Sequence, residues 1–270
     1  MIEKTPITGE PVILAPEREK RPNVYDGAPC PFCPGAENQT PPEVCRDGDP
    51  WRIRVFSNRY PPTEHCEIVV ESARHDDGFE ELLPDHAQRV VEITFERYRA
   101  LTAKAAYVCI FKTHGRLAGA SIPHLHSQLV GLPFLPPRIA AEGEAFARAT
   151  TCPLCDGNAH PVIDETEHYR RICPRGSHFA WQQWIVPKAH EHQIDNPREL
   201  ATLMQPSVRE LRTISDAFNW TFVNFPHQER GHWYLELFPR TAMIAGFEIG
   251  TGTFVNTVAP EASVPRGNRE

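Results

Sequence analysis

Two pairs of cysteines have the spacing of a metal site. Cys30 and Cys33 lie in the segment CPFCPG, and Cys152 and Cys155 lie in CPLCDG, both in loops rich in proline and glycine. A C-x-x-C pair holds two sulfur ligands close together, as zinc sites require. Disulfides and redox centres use the same spacing, so a disulfide framework and a redox pair are the alternatives. A thioredoxin-like protein would carry one such motif, so two motifs favour metal.

Histidines follow each cysteine pair in the same order. Two thiolates and two imidazoles fill a tetrahedral zinc site and leave no open position, which is typical of a structural site. His192 is an alternative to His190 as a ligand, because both lie in the segment KAHEH. The sequence therefore predicts zinc as a cofactor, held by two sets of four residues: Cys30, Cys33, His75 and His124, then Cys152, Cys155, His190 and His232.

The segment PHLHSQ, residues 123–128, carries the candidate catalytic residues. Residues two apart on a strand face the same side, so His124, His126 and Gln128 form one polar row among apolar neighbours. A solvated edge strand can show such a row without any function, which is the alternative. In the functional interpretation, His124 binds metal and His126 attacks phosphorus to form a covalent nucleotidyl intermediate. Gln128 then donates a hydrogen bond to a phosphoryl oxygen.

A loop of small residues precedes this row. The segment HGRLAGAS covers residues 114–121 and includes Gly119, Ala120 and Ser121. Backbone N–H groups in such a loop can bind phosphate, and the Ser121 hydroxyl can add a further hydrogen bond. A glycine-rich loop alone is weak evidence, so the prediction depends on the histidines beside it.

The order of motifs occurs twice along the chain. Each half reads Cys-x-x-Cys, two strands, His, helix, strand, and a strand with His-x-(His/Tyr)-x-(Gln/Glu). The helices are expected over residues 79–104 and 197–218, where apolar residues recur at helical spacing. In the second half, Tyr234 and Glu236 stand where His126 and Gln128 stand in the first. A tyrosine cannot replace the imidazole nucleophile, so the second half is predicted to be degenerate.

This repeat predicts an α+β fold of two tandem domains, each a mostly antiparallel sheet with helices. We place the catalytic domain at residues 1–138 and the degenerate domain at residues 139–270. The proline- and alanine-rich stretch near residues 133–151 is the expected linker.

Composition narrows the classes of function. The 270 residues carry 28 Lys and Arg against 35 Asp and Glu, a net charge of −7. A sequence-independent nucleic-acid surface needs clustered basic charge, so no nucleic-acid partner is expected. The sequence has no apolar run of about 18 residues, so no membrane span is expected. The first ten residues lack the apolar core of a signal peptide, so we predict a cytoplasmic location.

Taken together, these motifs resemble the galactose-1-phosphate uridylyltransferase family of the histidine-triad superfamily, over nearly the whole chain. The segments that carry the resemblance occur in the same order as in the family, which argues against a chance match. They are Thr5–Gly9 through Ala15–Pro22, the CPFCPG loop, Phe56–Pro61, Gly119–Ser121 with His124–Gln128, and Gly246–Gly252.

The resemblance implies two histidine-triad-like halves and a nucleotidyltransferase. Such an enzyme exchanges a nucleoside monophosphate between a nucleotide sugar and a hexose 1-phosphate, as UDP-glucose–hexose-1-phosphate uridylyltransferases do, through nucleotidyl-His126. It further implies that Arg18 and Arg21 contact the nucleotide phosphates, that Asn58 contacts the nucleoside and that Glu248 contacts the sugar. A homodimer with shared active sites is also implied.

Departures from the family pattern keep alternatives open. Leu125 stands where the family usually has Pro, Arg59 where several members have an acidic residue, and Thr113 where Asn is common. ADP-sugar phosphorylases share the double Cys-x-x-Cys pattern and the GFEIGTG-like tail, so a phosphorylase or a nucleotide hydrolase of the same superfamily is one alternative. A non-catalytic, zinc-stabilised nucleotide-binding protein is another, and the intact motif of the first half disfavours it.

Overall fold

The structure of the protein is a computed structural model that describes residues 1–156, 159–226 and 228–264. A sheet of ten strands dominates it, and a separate two-stranded hairpin lies at the N-terminus. The strands are β1 Ile2–Lys4, β2 Pro11–Ile13, β3 Glu43–Asp47, β4 Ile53–Ser57, β5 His65–Val70, β6 Tyr107–His114, β7 His126–Leu132, β8 Val162–Glu165, β9 Tyr169–Ile172, β10 Gln183–Pro187, β11 Phe218–Val223 and β12 Tyr234–Pro239. The helices are α1 Pro84–Thr102, α2 Pro137–Arg148, α3 Pro197–Arg212, α4 Gly246–Thr251 and α5 Pro260–Ser263, with short 3₁₀ turns at Pro16–Lys20, Val24–Asp26, Glu37–Gln39, Phe79–Glu81 and Arg116–Ala118.

The large sheet contains the same strand order twice. Its order is β3-β4-β5-β7-β6 followed by β11-β12-β10-β9-β8. Each half contributes five strands, and, counted inward from its outer edge, the fifth strand of the half lies between the third and the fourth. Neighbouring strands pair antiparallel. The halves join where β6 pairs with β11, for example Phe222 with Ile110. The α+β class with a largely antiparallel sheet is confirmed, and the boundary at residues 138 and 139 stays a prediction.

Helices α1 and α3 pack together on one face of this sheet and bury the main core. Helix α1 presents Val90, Val91 and Phe95 to it, and α3 presents Leu200 and Met204, all buried. The four-residue steps from Val91 to Phe95 and from Leu200 to Met204 are typical of an apolar helix face. This main core contains residues of both halves, so the two repeats fold against one another.

Three expected elements have different bounds in the structure. The first helix begins at Pro84 and not at residue 79, because the residue before a proline avoids helical dihedrals and Leu83 is extended, with ψ 143°. The second long helix ends at Arg212, since the chain enters β11 at Phe218. The expected linker near residues 133–151 is mostly helix α2, whose Ile139 and Phe146 are buried. Its alanine content is that of a helix and not of a linker.

Side-chain alternation along β7 divides its chemistry between two faces. Ser127 and Leu129 are buried, and Leu129 lies in the main core beneath α1. His126 and Gln128 face the other side, together with Phe56 and Ile68 of the adjoining strands. The face opposite α1 and α3 therefore carries the candidate site.

Candidate active site and metal centres

The structure brings the first four predicted metal ligands together. The donor atoms of Cys30, Cys33, His75 and His124 all lie within 4.8 Å of one another. His75 Nδ1 is 3.3 Å from the sulfur of Cys33, and His124 Nδ1 is 3.6 Å from both sulfurs. Nε2 of His124 donates to the carbonyl oxygen of Ser72 at 2.8 Å, which leaves Nδ1 as the ligand atom. The donor set and its geometry fit a tetrahedral zinc ion.

The second set converges in the same way. The donor atoms of Cys152, Cys155, His190 and His232 also lie within 4.8 Å of one another. His232 Nδ1 is 3.3 Å from the Cys152 sulfur, and His190 Nδ1 is 3.4 Å from the Cys155 sulfur. Within the described ranges, His192 does not join this cluster.

The thiols in these clusters agree with a metal centre and not with a disulfide. The structure joins none of the eight cysteines in a disulfide, and each C-x-x-C pair lies beside two histidines. Burial, with the neighbouring Cys33, raises the pKa of Cys30 to about 11. A bound cation reverses this preference and holds the sulfur as a thiolate.

His126 is oriented by its own backbone neighbourhood. Its Nδ1 lies 2.7 Å from the carbonyl oxygen of His124. A carbonyl can only accept, so Nδ1 carries the proton and Nε2 carries the lone pair. Burial lowers the pKa of His126 to about 4, so the ring is neutral near pH 7. The sequence predicts that a backbone carbonyl of residues 119–123 accepts this hydrogen bond. In the structure the acceptor is the carbonyl of His124, because the imidazole folds back toward the residue two positions before it.

A cleft opens in front of this imidazole. Its volume of about 290 Å³ is near the lower end of the ~300–1,000 Å³ typical of ligand sites. One wall is apolar, and the edge of the Phe32 ring lies against the His126 ring with centroids 5.2 Å apart. The other wall is polar or basic. The lining residues are Lys20, Arg21, Pro22, Pro29, Pro31, Phe32, Gln39, Thr40, Pro41, Phe56, Asn58, Arg59, Tyr60, Ile68, Ser121, Ile122, His126 and Gln128.

Half of the eight predicted substrate residues lie at this cleft. Arg21, Asn58, Ser121 and Gln128 line it beside His126. The carbonyl of Ser121 accepts a hydrogen bond of 2.8 Å from the backbone N–H of residue 24, which fastens the N-terminal segment to the loop of residues 114–121.

Four other predicted residues do not line the cleft. Arg18 donates to the carbonyl oxygen of Tyr60 at 2.7 Å, so it holds a lining residue from behind. Gly119 has a φ of 92° and closes a turn that Ala120 continues, which positions Ser121. Glu248 lies on α4, away from the cleft, where its carboxylate accepts from the N–H of residue 245 at 3.2 Å.

Sequence reasoning missed part of the cleft wall. Lys20, Phe32, Gln39 and Thr40 all contribute to it. Lys20 lies between the two predicted arginines, so its charge was a usable signal. Phe32, Gln39 and Thr40 come from turns whose position is set by packing against β4, and no local pattern marks them.

The corresponding place in the second half is also a cleft, with a volume of about 330 Å³, but the polar side chains on its wall bond to one another. Arg138 donates to Glu236 at 2.7 Å and to the hydroxyl of Tyr234 at 2.9 Å. The same hydroxyl donates to Glu142 at 2.7 Å, and the Trp184 ring stacks on Tyr234 at 4.2 Å. Arg138, Glu142 and Glu236 on the wall of this cleft are thus already paired within the protein.

Comparison with known proteins agrees with this geometry. Residues 17–135 match a family described as the N-terminal domain of a domain of unknown function, DUF4931. An ADP-glucose phosphorylase of Arabidopsis thaliana is 28% identical over 315 aligned residues, covering 96% of this chain and 90% of that protein. A galactose-1-phosphate uridylyltransferase of Thermotoga maritima is 26% identical, covering 95% of this chain and 94% of that protein. The chain is a homologue of these enzymes.

Solved structures extend the homology to the whole fold. The crystal structure of an Arabidopsis thaliana ADP-glucose phosphorylase with bound ADP-glucose has a TM-score of 0.80 and 28% identity, covering 100% of this chain and 98% of that chain. A uridylyltransferase structure has a TM-score of 0.81 at 24% identity, which shows a common fold. The expected resemblance and the nucleotidyltransferase-like enzyme class are confirmed at this level. Within the described part of the chain, no helix is long and apolar enough to cross a bilayer.

Proposed function

We propose that this homologue moves a nucleoside monophosphate from a nucleotide sugar to a hexose 1-phosphate through a covalent bond to Nε2 of His126. The observation that carries the proposal is the 2.7 Å hydrogen bond from His126 Nδ1 to the carbonyl oxygen of His124. It presents a neutral Nε2 to a cleft lined by Arg21, Ser121 and Gln128. A neutral nitrogen with a fixed tautomer is the form of imidazole that attacks phosphorus.

The reaction consists of two successive displacements at the α-phosphorus. In the first, the Nε2 lone pair forms a bond to the α-phosphorus, and the bond from that phosphorus to the oxygen of the hexose 1-phosphate breaks. The electron pair leaves with the sugar phosphate. The imidazole becomes cationic, and the His124 carbonyl continues to hold Nδ1–H. In the second displacement, a phosphate oxygen of the acceptor attacks the same phosphorus and Nε2 departs.

The cleft supplies charge where these displacements need it. Lys20 and Arg21 lie at its rim and can meet the phosphate oxygens. Gln128 lies on the same face of β7 as His126 and can donate an amide N–H to a phosphoryl oxygen. The apolar wall formed by Phe32, Phe56 and Ile68 suits a nucleobase, which stacks on such surfaces. We propose Asn58 as the contact to the nucleoside.

We propose zinc at both cysteine–histidine clusters. Zinc bound there cross-links the N-terminal loops to the sheet, which contributes to folding. His124 is both a ligand of the first cluster and the residue whose carbonyl orients His126. The first cluster therefore fixes the position of the nucleophile without entering the chemistry.

We also propose a homodimer that completes the sugar side of the site. Glu248 and the apolar side chains beside it on α4 lie away from the cleft of their own chain, and Phe247 and Ile249 are 54% and 75% exposed. A second copy can cover this surface and bring Glu248 to a sugar. Arg21 lies at the cleft and contacts the nucleotide phosphates, whereas Arg18, which holds the Tyr60 carbonyl in its own chain, would reach phosphates only through such a shared site. The cytoplasmic location stays a prediction.

The acceptor defines the second candidate function. Transfer to inorganic phosphate instead of a hexose 1-phosphate would make the protein an ADP-sugar phosphorylase. The specific observation in its favour is the homology to an ADP-glucose phosphorylase over 96% of this chain. The covalent step on His126 is the same in both cases.

One experiment separates the two functions. The protein is loaded with UDP-glucose or with ADP-glucose, freed of the donor, and then given glucose 1-phosphate, galactose 1-phosphate, inorganic phosphate or buffer alone. Intact-mass spectrometry follows the nucleotidyl adduct. Rapid discharge by a hexose 1-phosphate supports the transferase, discharge by phosphate alone supports the phosphorylase, and discharge in buffer supports a hydrolase. Binding of both donors without any adduct would contradict the proposal and favour a nucleotide-binding protein.

A further inference from the structure

Three buried polar side chains lie directly behind the proposed nucleophile. Glu71 follows β5, Lys112 lies on β6 and Ser127 lies on β7 next to His126. The ammonium of Lys112 is 2.5 Å from Oε2 of Glu71, and the hydroxyl of Ser127 donates to Oε1 of the same carboxylate. One carboxylate therefore ties together the central strands of the first half.

The same acid also holds the backbone next to His126. The N–H of Glu71 donates to the carbonyl oxygen of Leu125 at 3.0 Å. Its own carbonyl accepts from Nε2 of His86 on α1 at 2.8 Å. The segment from Leu125 to Ser127 is thus fixed at both ends by Glu71, and the His124 carbonyl that orients His126 lies at its entry.

These three residues lie in surroundings that do not favour charge. Glu71, Lys112 and Ser127 are each 1% exposed. Phe79, Val90 and other apolar side chains of the main core surround them. Burying an ion pair carries a large desolvation penalty, and apolar replacements are often neutral or stabilising. Stability of the fold therefore gives no reason for this pair.

The second half of the chain serves as an internal comparison. Leu235 occupies the place of Ser127, because each lies between the two residues of its histidine motif. Phe222 occupies the place of Lys112. Phe222 follows Thr221, which pairs with Glu236, and Lys112 follows Phe111, which pairs with Gln128. Pro187 occupies the place of Glu71. Pro187 comes two residues after Ile185, which pairs with Leu235, and Glu71 comes two residues after Val69, which pairs with Ser127. The half that lacks the nucleophile thus has three apolar residues in place of the network.

We propose that Ser127, Glu71 and Lys112 are positioning residues that hold His126 in line with the reacting phosphorus, a role that rests on the proposed function. Lys112 fixes the rotamer of Glu71, and Glu71 fixes the hydroxyl of Ser127 and the backbone at Leu125. The same backbone positions the His124 carbonyl, and that carbonyl orients the His126 ring through its hydrogen bond with Nδ1. None of the three contacts substrate; they act through His126.

Ser127→Ala is the direct test, because it removes one hydroxyl and adds no bulk. We expect the single-turnover rate of adduct formation from the nucleotide sugar to fall by about 10- to 100-fold, the effect of a small misplacement of a reacting group. The Kd for the nucleotide sugar and the zinc content should stay at the wild-type values. Ser127→Thr, which keeps the hydroxyl, should recover most of the lost rate.

Two further variants separate positioning from stability. Thr94→Val removes another buried hydroxyl, which lies with Glu71 and Ser127 on the wall of a small cavity in the core. Among the described residues it bonds only to the Val90 carbonyl, so the adduct rate should not change. The double variant Glu71→Gln with Lys112→Met removes both charges and leaves none unpaired. It should keep or raise the melting temperature while adduct formation slows about 10-fold or more. A wild-type rate in Ser127→Ala or in the double variant would overturn the proposal.

A nitrogen-15 NMR measurement keeps the inference separate from the proposed function. The Nδ1–H proton of His126, assigned by its absence in His126→Ala, should be a slowly exchanging signal in the wild-type protein. It should weaken or disappear in Ser127→Ala and persist in Thr94→Val. If the wild-type protein forms no adduct but this pattern is seen, the proposed function fails and the positioning network stands. An unchanged signal in Ser127→Ala overturns the network whatever the activity.

Discussion

Nδ1 of His126 lies 2.7 Å from the carbonyl oxygen of His124, and the imidazole of His124 itself lies in the first cysteine–histidine cluster. One residue thus contributes its side chain to the proposed metal centre and its backbone to the proposed nucleophile. This arrangement explains why the two histidines stand two apart. His124 connects the metal centre to the start of β7, and His126, two residues later, faces the cleft.

The two histidines should therefore fail in different ways. His126→Ala should abolish the nucleotidyl adduct, with a loss on the order of 10⁴-fold or more in turnover, as removal of a nucleophile causes elsewhere. It should keep its zinc and its melting temperature. His124→Ala should lose the first zinc and, with it, activity. Elemental analysis and turnover measured on both variants check this, and loss of zinc from His126→Ala would mean that the two roles are exchanged.

Metal content is a separate prediction. The intact protein should carry two zinc ions per chain, since both clusters have a complete set of four ligands. Cys30→Ser should lose one ion and lower the free energy of unfolding by about 4 kcal/mol, the scale of a lost metal. Cys152→Ser is the matched variant for the second cluster. Protein purified without chelators that contains no metal would contradict the assignment.

The second half should not take part in the chemistry. Tyr234→Phe removes a hydroxyl that accepts from Arg138 and donates to Glu142. We expect a loss of stability of roughly 1–3 kcal/mol from the unpaired buried groups, and turnover at the wild-type value. Thermal unfolding and steady-state kinetics measure the two effects. A loss of activity without a loss of folded protein would place Tyr234 in the reaction.

The number of copies in the active protein is also predicted. Sedimentation at assay concentrations should show a dimer, and Phe247→Glu, which places a charge on the exposed face of α4, should weaken it. Activity should fall together with the dimer fraction if Glu248 reaches the site of the other copy. A monomer with full activity would rule out shared sites.

The repeated motifs show what a sequence can reveal about such a site. The convergence of the two Cys–His sets and the common face of His126 and Gln128 were predictable, because each motif carries its own spacing and the second copy repeats it. The Glu71–Lys112–Ser127 network was not, since Lys112 lies in an apolar strand pattern and the pairing of strands decides what it meets. Helix α2 was missed because prolines at its start resemble a linker, although proline at the first helical position is favourable. The Phe32 wall was missed because tertiary packing alone positions it.

The most direct test of the account is a single-turnover measurement of the covalent step. The wild-type protein is mixed with UDP-glucose or ADP-glucose, denatured within the first turnover, and digested for peptide mass spectrometry under conditions that preserve phosphoramidates. We predict one nucleoside monophosphate per chain, attached at His126, and no adduct in His126→Ala. Turnover without any adduct, or an adduct at the wild-type rate in His126→Ala, would contradict the account.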